Sequence, residues 1–254
     1  MCFPYPKGVF HAHKDYPLIA KLSGVDFFDI SENDRTFAVA KLFFVYGIGA
    51  NLIFPWFVGA SCVLYAGTPR QAPAVLKTIE KFRPTIFVSV PTVYGSILSL
   101  PNFEKRYDIS SIRLCMSAGE PLPERHWQSW KIATGVEILD TIGCTETYHT
   151  FMANRPGELR PGSSGKPIPG YDVRLVNGNG EDVQQGLIGN LLVRGETTSL
   201  FYLHQSEKTR QTFQGEWLLT GDRFLKDEDG YYWHHGRADD MLKVGGLWVS
   251  PLEI

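Results

Sequence analysis

Between residues 60 and 139 the sequence passes repeatedly from a short β-rich run to a segment with helical apolar spacing, and few architectures accept that alternation. Ala60-Ser61-Cys62-Val63-Leu64-Tyr65 reads as a strand. Val75, Leu76, Ile79 and Phe82 then recur at three-to-four spacing, the buried stripe of a helix with Thr68 as its N-cap and Pro69 at its first position. Pro84 disfavours helical geometry at Arg83 and should close that helix. Thr85-Ile86-Phe87-Val88-Ser89-Val90 is an unbroken β-rich run, as expected of a strand covered on both faces, and Pro91 stops it. Thr92 to Leu100 is helical, Ile112 to Met116 a strand, Pro123 to Thr134 a helix closed by Gly135, and Val136 to Leu139 a further strand. This order predicts a parallel sheet with right-handed crossovers. Open parallel sheets bind ligands beyond the carboxyl ends of their strands.

Two stretches fall at that place. One is Ser117-Ala118-Gly119-Glu120-Pro121-Leu122-Pro123. The other, Asp140-Thr141-Ile142-Gly143-Cys144-Thr145-Glu146-Thr147, is expected to pack two carboxylates, a glycine and several hydroxyls into one turn. Such a turn can hold a nucleotide phosphate and its Mg²⁺ beside a small substrate. Upstream, Phe37 to Phe57 is apolar and aromatic, interrupted by Gly47 and Gly49. Phe43-Phe44-Val45-Tyr46-Gly47 is expected to pack in the core, with a flat pocket edged by Tyr46 as the rarer outcome. Lys7, in Pro6-Lys7-Gly8, reads by itself as a solvated loop lysine, although a lysine beside glycine can bind phosphate.

After residue 156 helical patterns fade. Tyr171 to Val176 alternates, Asn177-Gly178 and Asn179-Gly180 are hairpin-type turns, Gly186 to Arg194 is a strand, and Trp217 to Asp222 is a strand ending on an acidic turn. The expected organisation is an α/β unit over 1–155 with αβα layers, a β-rich unit resembling a small distorted barrel over 156–238, and a short terminal piece over 239–254. With a net charge of −2 the chain shows no global pull toward nucleic acid. No apolar run approaches the roughly 20 residues of a membrane span. The four cysteines are scattered without a Cys-x-x-Cys pair and read as free thiols of a cytoplasmic protein.

Five stretches in register carry a family resemblance: Pro6-Lys7-Gly8, Ser117 to Pro123, Gly143-Cys144-Thr145-Glu146, Thr220-Gly221-Asp222 and Gly236-Arg237-Ala238-Asp239-Asp240. Together they resemble the adenylate-forming superfamily of acyl-CoA synthetases, adenylation domains and luciferases. The runs Phe43 to Gly49, His149 to Tyr171 and Asp240 to Pro251 look most like benzoate-CoA ligase and its hydroxybenzoate relatives. The resemblance implies part of the large domain of an adenylate-forming enzyme. It implies a reaction in which an aromatic carboxylic acid and MgATP give acyl-AMP, from which coenzyme A displaces AMP.

By the same resemblance Lys7, Thr145 and Glu146 are catalytic, and Glu146 also supplies an oxygen to Mg²⁺. Gly119, Glu120, Pro121, Asp140, Thr141, Ile142, Thr145, Asp222 and Arg237 bind ATP or AMP, with Asp222 on the ribose hydroxyls. Many relatives carry an aromatic where Ile142 stands. Val45, Tyr46, Gly143, His149 and Thr150 form the acid site. Benzoate ligases tend to have a larger apolar residue at Thr150, so the hydroxyl here implies a hydroxylated or heterocyclic acid. Gly245 and Gly246 pass the pantetheine of CoA, and Asp239 is the hinge to a C-terminal domain.

Both chain ends look abrupt, and the family's phosphate loop, N-terminal part and C-terminal domain have no counterpart in these residues, so a fragment is expected. A sheet face left bare by that loss would favour self-association, and a homodimer stays open. The alternatives are a catalytically impaired nucleotide-binding remnant, or another acyl-AMP-forming ligase acting on fatty or amino acids.

Overall fold

A computed structural model describes residues 7–68 and 71–238, with two further strands at 242–244 and 247–249 described by their backbone. Pro69, Asp239, Gly245 and Gly246 lie outside the described residues.

The alternation in the first half closes into one seven-stranded sheet. Its strands are β1 (Arg35–Ala38), β2 (Ser61–Val63), β3 (Ile86–Ser89), β4 (Leu114–Ser117), β5 (Ile138–Gly143), β6 (Thr150–Ala153) and β7 (Lys166–Pro167), in the order β2-β1-β3-β4-β5-β6-β7. The first five in that order are parallel, while β6 and β7 pair antiparallel at the edge. Helices Ala72–Phe82, Pro91–Leu98 and Glu124–Thr134 make the crossovers.

Side chains alternate across the sheet. Phe87 points to one face, where Phe37, Val75, Leu76, Ile79, Tyr94 and Trp130 form a core under these helices. Ile86 and Val88 point to the other, where Met116, Leu139, Phe54 and Phe151 form a second core. That second core runs on into an antiparallel sheet containing β8 (Tyr171–Val176), β9 (Ile188–Gly195), β10 (Phe213–Gln214), β11 (Trp217–Lys226) and β12 (Tyr232–Arg237). The last two strands, β13 (Leu242–Val244) and β14 (Leu247–Val249), pair with each other. No helix among the described residues is long and apolar enough to cross a membrane.

The amino ends of the parallel strands are tied by one buried carboxylate. Asp34, just before β1, accepts Arg113 Nε at 2.8 Å and Nη2 at 2.7 Å, Thr85 Oγ1 at 2.6 Å and the Ser31 amide at 2.9 Å. Burial pushes its pKa up, but these donors outweigh burial and hold it at about 2.

Four local expectations are corrected. The helix after β2 begins at Ala72, with Pro73 in its opening turn and Gln71 rather than Thr68 at the N-cap. It ends as expected at Arg83, which takes φ 46° and ψ 56° because Pro84 crowds the right-handed geometry. Residues 140–143 are not a turn but the end of β5, and the turn proper is a single 3-10 turn over Thr145–Thr147. Asp222 does not end a strand: β11 runs to Lys226, and its register shifts between Leu219 and Arg223. Phe43 is 80% exposed and Phe44 is also exposed, so this aromatic pair is not core.

Candidate active site

The carboxyl ends of β1, β3, β4 and β5 lie side by side, and a cavity of about 370 Å³ opens there. Val39 follows β1, Val90 follows β3, Ala118 and Gly119 follow β4, and Gly143 closes β5. The short helical segment starting at Val45 contributes Phe44, Val45 and Tyr46, and β6 with the residue before it adds His149 and Thr150. All five residues predicted for the acid site therefore line one cavity, with Gly119 of the predicted nucleotide loop at its edge.

His149 sits deep in this wall because two glycines make room for it. A Cβ on Gly49 would stand 2.2 Å from the imidazole, and one on Gly143 would stand 2.2 Å from the His149 carbonyl oxygen. The ring lies near-parallel to Tyr46 with centroids 5.5 Å apart and meets Phe54 edge-on at 4.7 Å. Its Nε2 is 3.2 Å from the Tyr46 carbonyl and its Nδ1 is 2.9 Å from Thr150 Oγ1. Burial pulls its pKa down to about 4 against the opposing hydrogen bond to Tyr46, so the ring is neutral near pH 7.

Beside the cavity, register pairs Ser117 of β4 with Asp140 of β5. Thr141 Oγ1 donates to the Ser117 carbonyl at 3.0 Å, so its hydroxyl ties the two strand ends together. Asp140 is 6% exposed, and its Oδ1 has no hydrogen-bond partner among the described residues. Burial pushes its pKa well above the usual carboxylate range, despite backbone hydrogen bonds from Leu122 and Thr141. Ile142 is half-buried against the second core. Glu120 and Pro121 are exposed, and Glu120 accepts Thr92 Oγ1 at 2.9 Å.

The turn after β5 holds a second cluster. Glu146 Oε1 accepts Tyr202 Oη at 2.6 Å and Lys7 Nζ at 3.4 Å, and Lys7 lies 4.7 Å from the centre of the Tyr202 ring. Burial raises the Glu146 pKa, but the Tyr202 hydrogen bond and the Lys7 charge prevail and hold it below its usual value. Lys7 is thus engaged with the carboxylate rather than simply solvated. Thr145 exposes its side chain while its carbonyl lies 2.6 Å from His11 Nε2, and His11 Nδ1 lies 3.0 Å from the buried Asp15 carboxylate. On the antiparallel sheet, Asp222 of β11 faces Arg237 of β12 across the ladder, with Nη1 3.2 Å from Oδ1 and His234 Nε2 at 3.6 Å. Burial, with the charges of Glu146 and Asp222 adding to it, pushes the Cys144 thiol up.

Sequence reasoning missed His11, Asp15 and Tyr202. His11 meets Thr145 across 134 positions and Tyr202 meets Glu146 across 56, separations at which no local spacing gives a signal. A more open hollow of about 650 Å³ among Gln185, Gly186, Leu225, Asp227 and Glu228 gathers none of the predicted residues. Among the described residues no group of three His, Cys, Asp or Glu side chains is placed to hold a metal ion. The donor set therefore fits Mg²⁺ only as that ion is bound in nucleotide sites, through one or two carboxylates with phosphates and water.

A parallel sheet with a cavity at its strand ends, just before a Thr-Glu turn, places the chain among the α/β proteins that take ligands beyond the carboxyl ends of their strands. The chain belongs to the AMP-binding enzyme family, which it matches over residues 5–203. It is 45% identical to the benzoate–CoA ligase of Thauera aromatica over 98% of its own length and 47% of that protein's. Among solved structures it superposes with a TM-score of 0.95 on an anthranilate CoA ligase in complex with anthranoyl-AMP, at 60% identity, covering 98% of this chain and 48% of the other. A benzoate CoA ligase from Burkholderia xenovorans LB400 gives a TM-score of 0.91 at 41% identity, with coverages of 98% and 50%. The chain spans about half the length of the curated relatives it matches.

Proposed function

We propose that this chain supplies the nucleotide- and acid-binding part of a cytoplasmic ATP-dependent aromatic acid:CoA ligase that works through an acyl-AMP. One observation carries the reading. The slot edged by Tyr46 and His149, with Gly143 and Gly119 at its rim, opens at the strand ends beside the Thr145–Glu146 turn. A flat acid in that slot would bring its carboxylate toward the turn where a nucleotide phosphate is expected.

In this reading a carboxylate oxygen attacks the α-phosphorus of ATP and pyrophosphate leaves. The CoA sulfur then attacks the acyl carbon and AMP leaves. Bound Mg²⁺ would neutralise phosphate charge, with Glu146 as its protein oxygen. Glu146 is fit for that role because Tyr202 and Lys7 keep it ionised. Thr145 would donate its hydroxyl to a phosphate oxygen. The unpartnered Oδ1 of Asp140 suits a donor such as the amino group of a purine, with Gly119, Glu120, Pro121, Thr141 and Ile142 around the base. Asp222 would accept from the ribose hydroxyls, with Arg237 beside it. We retain the division into an α/β unit over 1–155, a β-rich unit over 156–238 and a hinge piece over 239–254 as part of the same proposal.

The test is calorimetric binding of non-hydrolysable acyl-sulfamoyl-adenosines. A benzoyl-type analogue should bind at least tenfold more tightly than AMP, decanoyl or aminoacyl analogues less so. Equal or tighter binding of a decanoyl or aminoacyl analogue would overturn the aromatic assignment.

A further inference from the structure

The turn that presents Thr145 and Glu146 is held by its main chain. The Glu146 carbonyl accepts the Ser199 amide at 2.7 Å, and the Thr147 carbonyl accepts Thr197 Oγ1 at 2.9 Å. The Thr145 carbonyl accepts the Tyr148 amide at 3.0 Å and His11 Nε2 at 2.6 Å. A carbonyl can only accept, so the His11 ring donates there. Tyr148 stands at φ 69° and ψ −36°, a strained conformation for a residue with a side chain, and its surroundings must enforce it. The imidazole of His11 is part of those surroundings, meeting the Tyr148 ring edge-on at 4.9 Å.

His11 is in turn placed by Asp15. That carboxylate is 4% exposed, at the start of the short helix Asp15–Ile19. Its Oδ2 lies 3.0 Å from His11 Nδ1 and accepts the Ala12 amide at 2.9 Å, so the ring is fixed at both nitrogens. Lys7, on the same segment as His11, reaches the Glu146 side chain. The segment therefore meets the turn at a side chain through Lys7 and at the backbone through His11. The Phe10 carbonyl between them accepts Ser199 Oγ at 2.7 Å, and the Ser199 amide is the donor to Glu146. A single 3-10 turn has few bonds of its own, so these outside donors set where its side chains stand.

We infer, resting on the phosphate role given above to the Thr145–Glu146 turn, that His11 and Asp15 are positioning residues for phosphate recognition, acting through the Thr145 backbone. Neither touches the nucleotide. His11 holds the Thr145 carbonyl, and with it the place of the Thr145 hydroxyl relative to Lys7 and Glu146. Asp15 holds His11. Without the imidazole the Thr145 carbonyl keeps the Tyr148 amide as donor, but the turn is free to relax toward the geometry that relieves Tyr148. The hydroxyl then has to be ordered by the phosphate itself, and binding bears that cost. The nucleoside part of a ligand makes no use of this contact, so only the phosphate increment should suffer.

The probes are AMP and adenosine, which differ by the phosphate alone, titrated by calorimetry into the wild-type chain, His11→Ala, His11→Gln, Asp15→Ala and the double variant His11→Ala with Asp15→Ala. The wild-type chain should favour AMP. His11→Ala should weaken AMP about tenfold, the worth of one well-placed hydrogen bond, and leave adenosine within about twofold. His11→Gln, whose amide can donate to the same carbonyl, should restore most of the AMP affinity. Asp15→Ala should weaken AMP in the same way, and the double variant should be no worse than the poorer single one, because both residues act through one contact. A merely structural role would weaken AMP and adenosine alike. That result, an AMP affinity that does not fall, or additive losses in the double variant would overturn the inference and leave the phosphate role of the turn standing. A wild-type chain that does not favour AMP over adenosine would remove both. Should His11→Ala not fold, ¹⁵N spectra of the wild-type imidazoles decide: His11 signals that move with AMP and not with adenosine support the positioning role, and signals unmoved by saturating AMP contradict it.

Discussion

Asp34 and Asp140 are buried at opposite ends of the same sheet, and their surroundings push their carboxyl groups in opposite directions. Asp34, at the amino ends, receives five hydrogen bonds from three other residues, two of them from a guanidinium, and is held at about 2. Asp140, at the carboxyl ends, has backbone donors but, among the described residues, no partner for Oδ1, and burial raises its pKa. A buried carboxylate with every lone pair met stabilises the fold that meets it; one left short is destabilising until something outside the chain completes it. The contrast separates the end of the sheet that holds the molecule together from the end that is ready for a ligand.

The largest effect should come from breaking the satisfied end. Asp34→Ala strands the Arg113 guanidinium and frees Thr85 and Ser31, and should cost about 3 kcal/mol in urea unfolding, the low side for a buried pair because Arg113 is part exposed. The pH signature has a definite sign. A carboxyl depressed in the folded state stabilises fully above its ordinary pKa of about 4 and loses that contribution as pH falls through about 2. Asp34→Asn should flatten the acid limb of the stability curve between those values, and an unchanged limb would remove Asp34 from the clamp.

Asp140 predicts the reverse at smaller size. With its folded pKa raised, its contribution is best below about pH 4 and is lost as pH rises above that. Asp140→Asn should therefore raise the stability of the ligand-free chain at pH 7 by about 2 kcal/mol and weaken AMP binding. Destabilisation at pH 7 would mean that the Asp140 carboxylate is satisfied in the folded chain.

Tyr202→Phe should have the smallest effect, about 1 kcal/mol or less, because Lys7 still faces Glu146. Its sharper readout is the Glu146 side-chain carbon in a ¹³C titration, whose midpoint should move up toward the ordinary value once the phenol donor is gone. A midpoint that stays put would show that Lys7 alone keeps Glu146 ionised.

What the sequence disclosed follows the range of the forces involved. Pro84 and Pro91 bracket β3, and Gly135 closes a helix at φ 75°; these act on neighbours and were legible. Residues 140–143 look like a turn in sequence because this strand end carries polar side chains, Asp140 and Thr141, where a mid-sheet strand would carry apolar ones. Phe43 and Phe44 look like core in sequence because a short aromatic run gives no sign of which rings stay exposed. The acid-site residues came from resemblance alone, since nothing local links Tyr46 to His149 across 103 positions. His11, Asp15 and Tyr202 had neither kind of signal.

The two glycines around His149 also say where descendants of this chain can vary. Any side chain at Gly49 or Gly143 would have to displace the imidazole or the backbone behind it. Both positions are thus shut to drift, and with them the placement of the ring. On the proposed reading, lineages that come to take a different acid would do so on the remaining walls, at Val39, Val45, Val90, Ala118 and Thr150. Sequence variation among close kin should therefore be lopsided, still on the imidazole side and lively on the other.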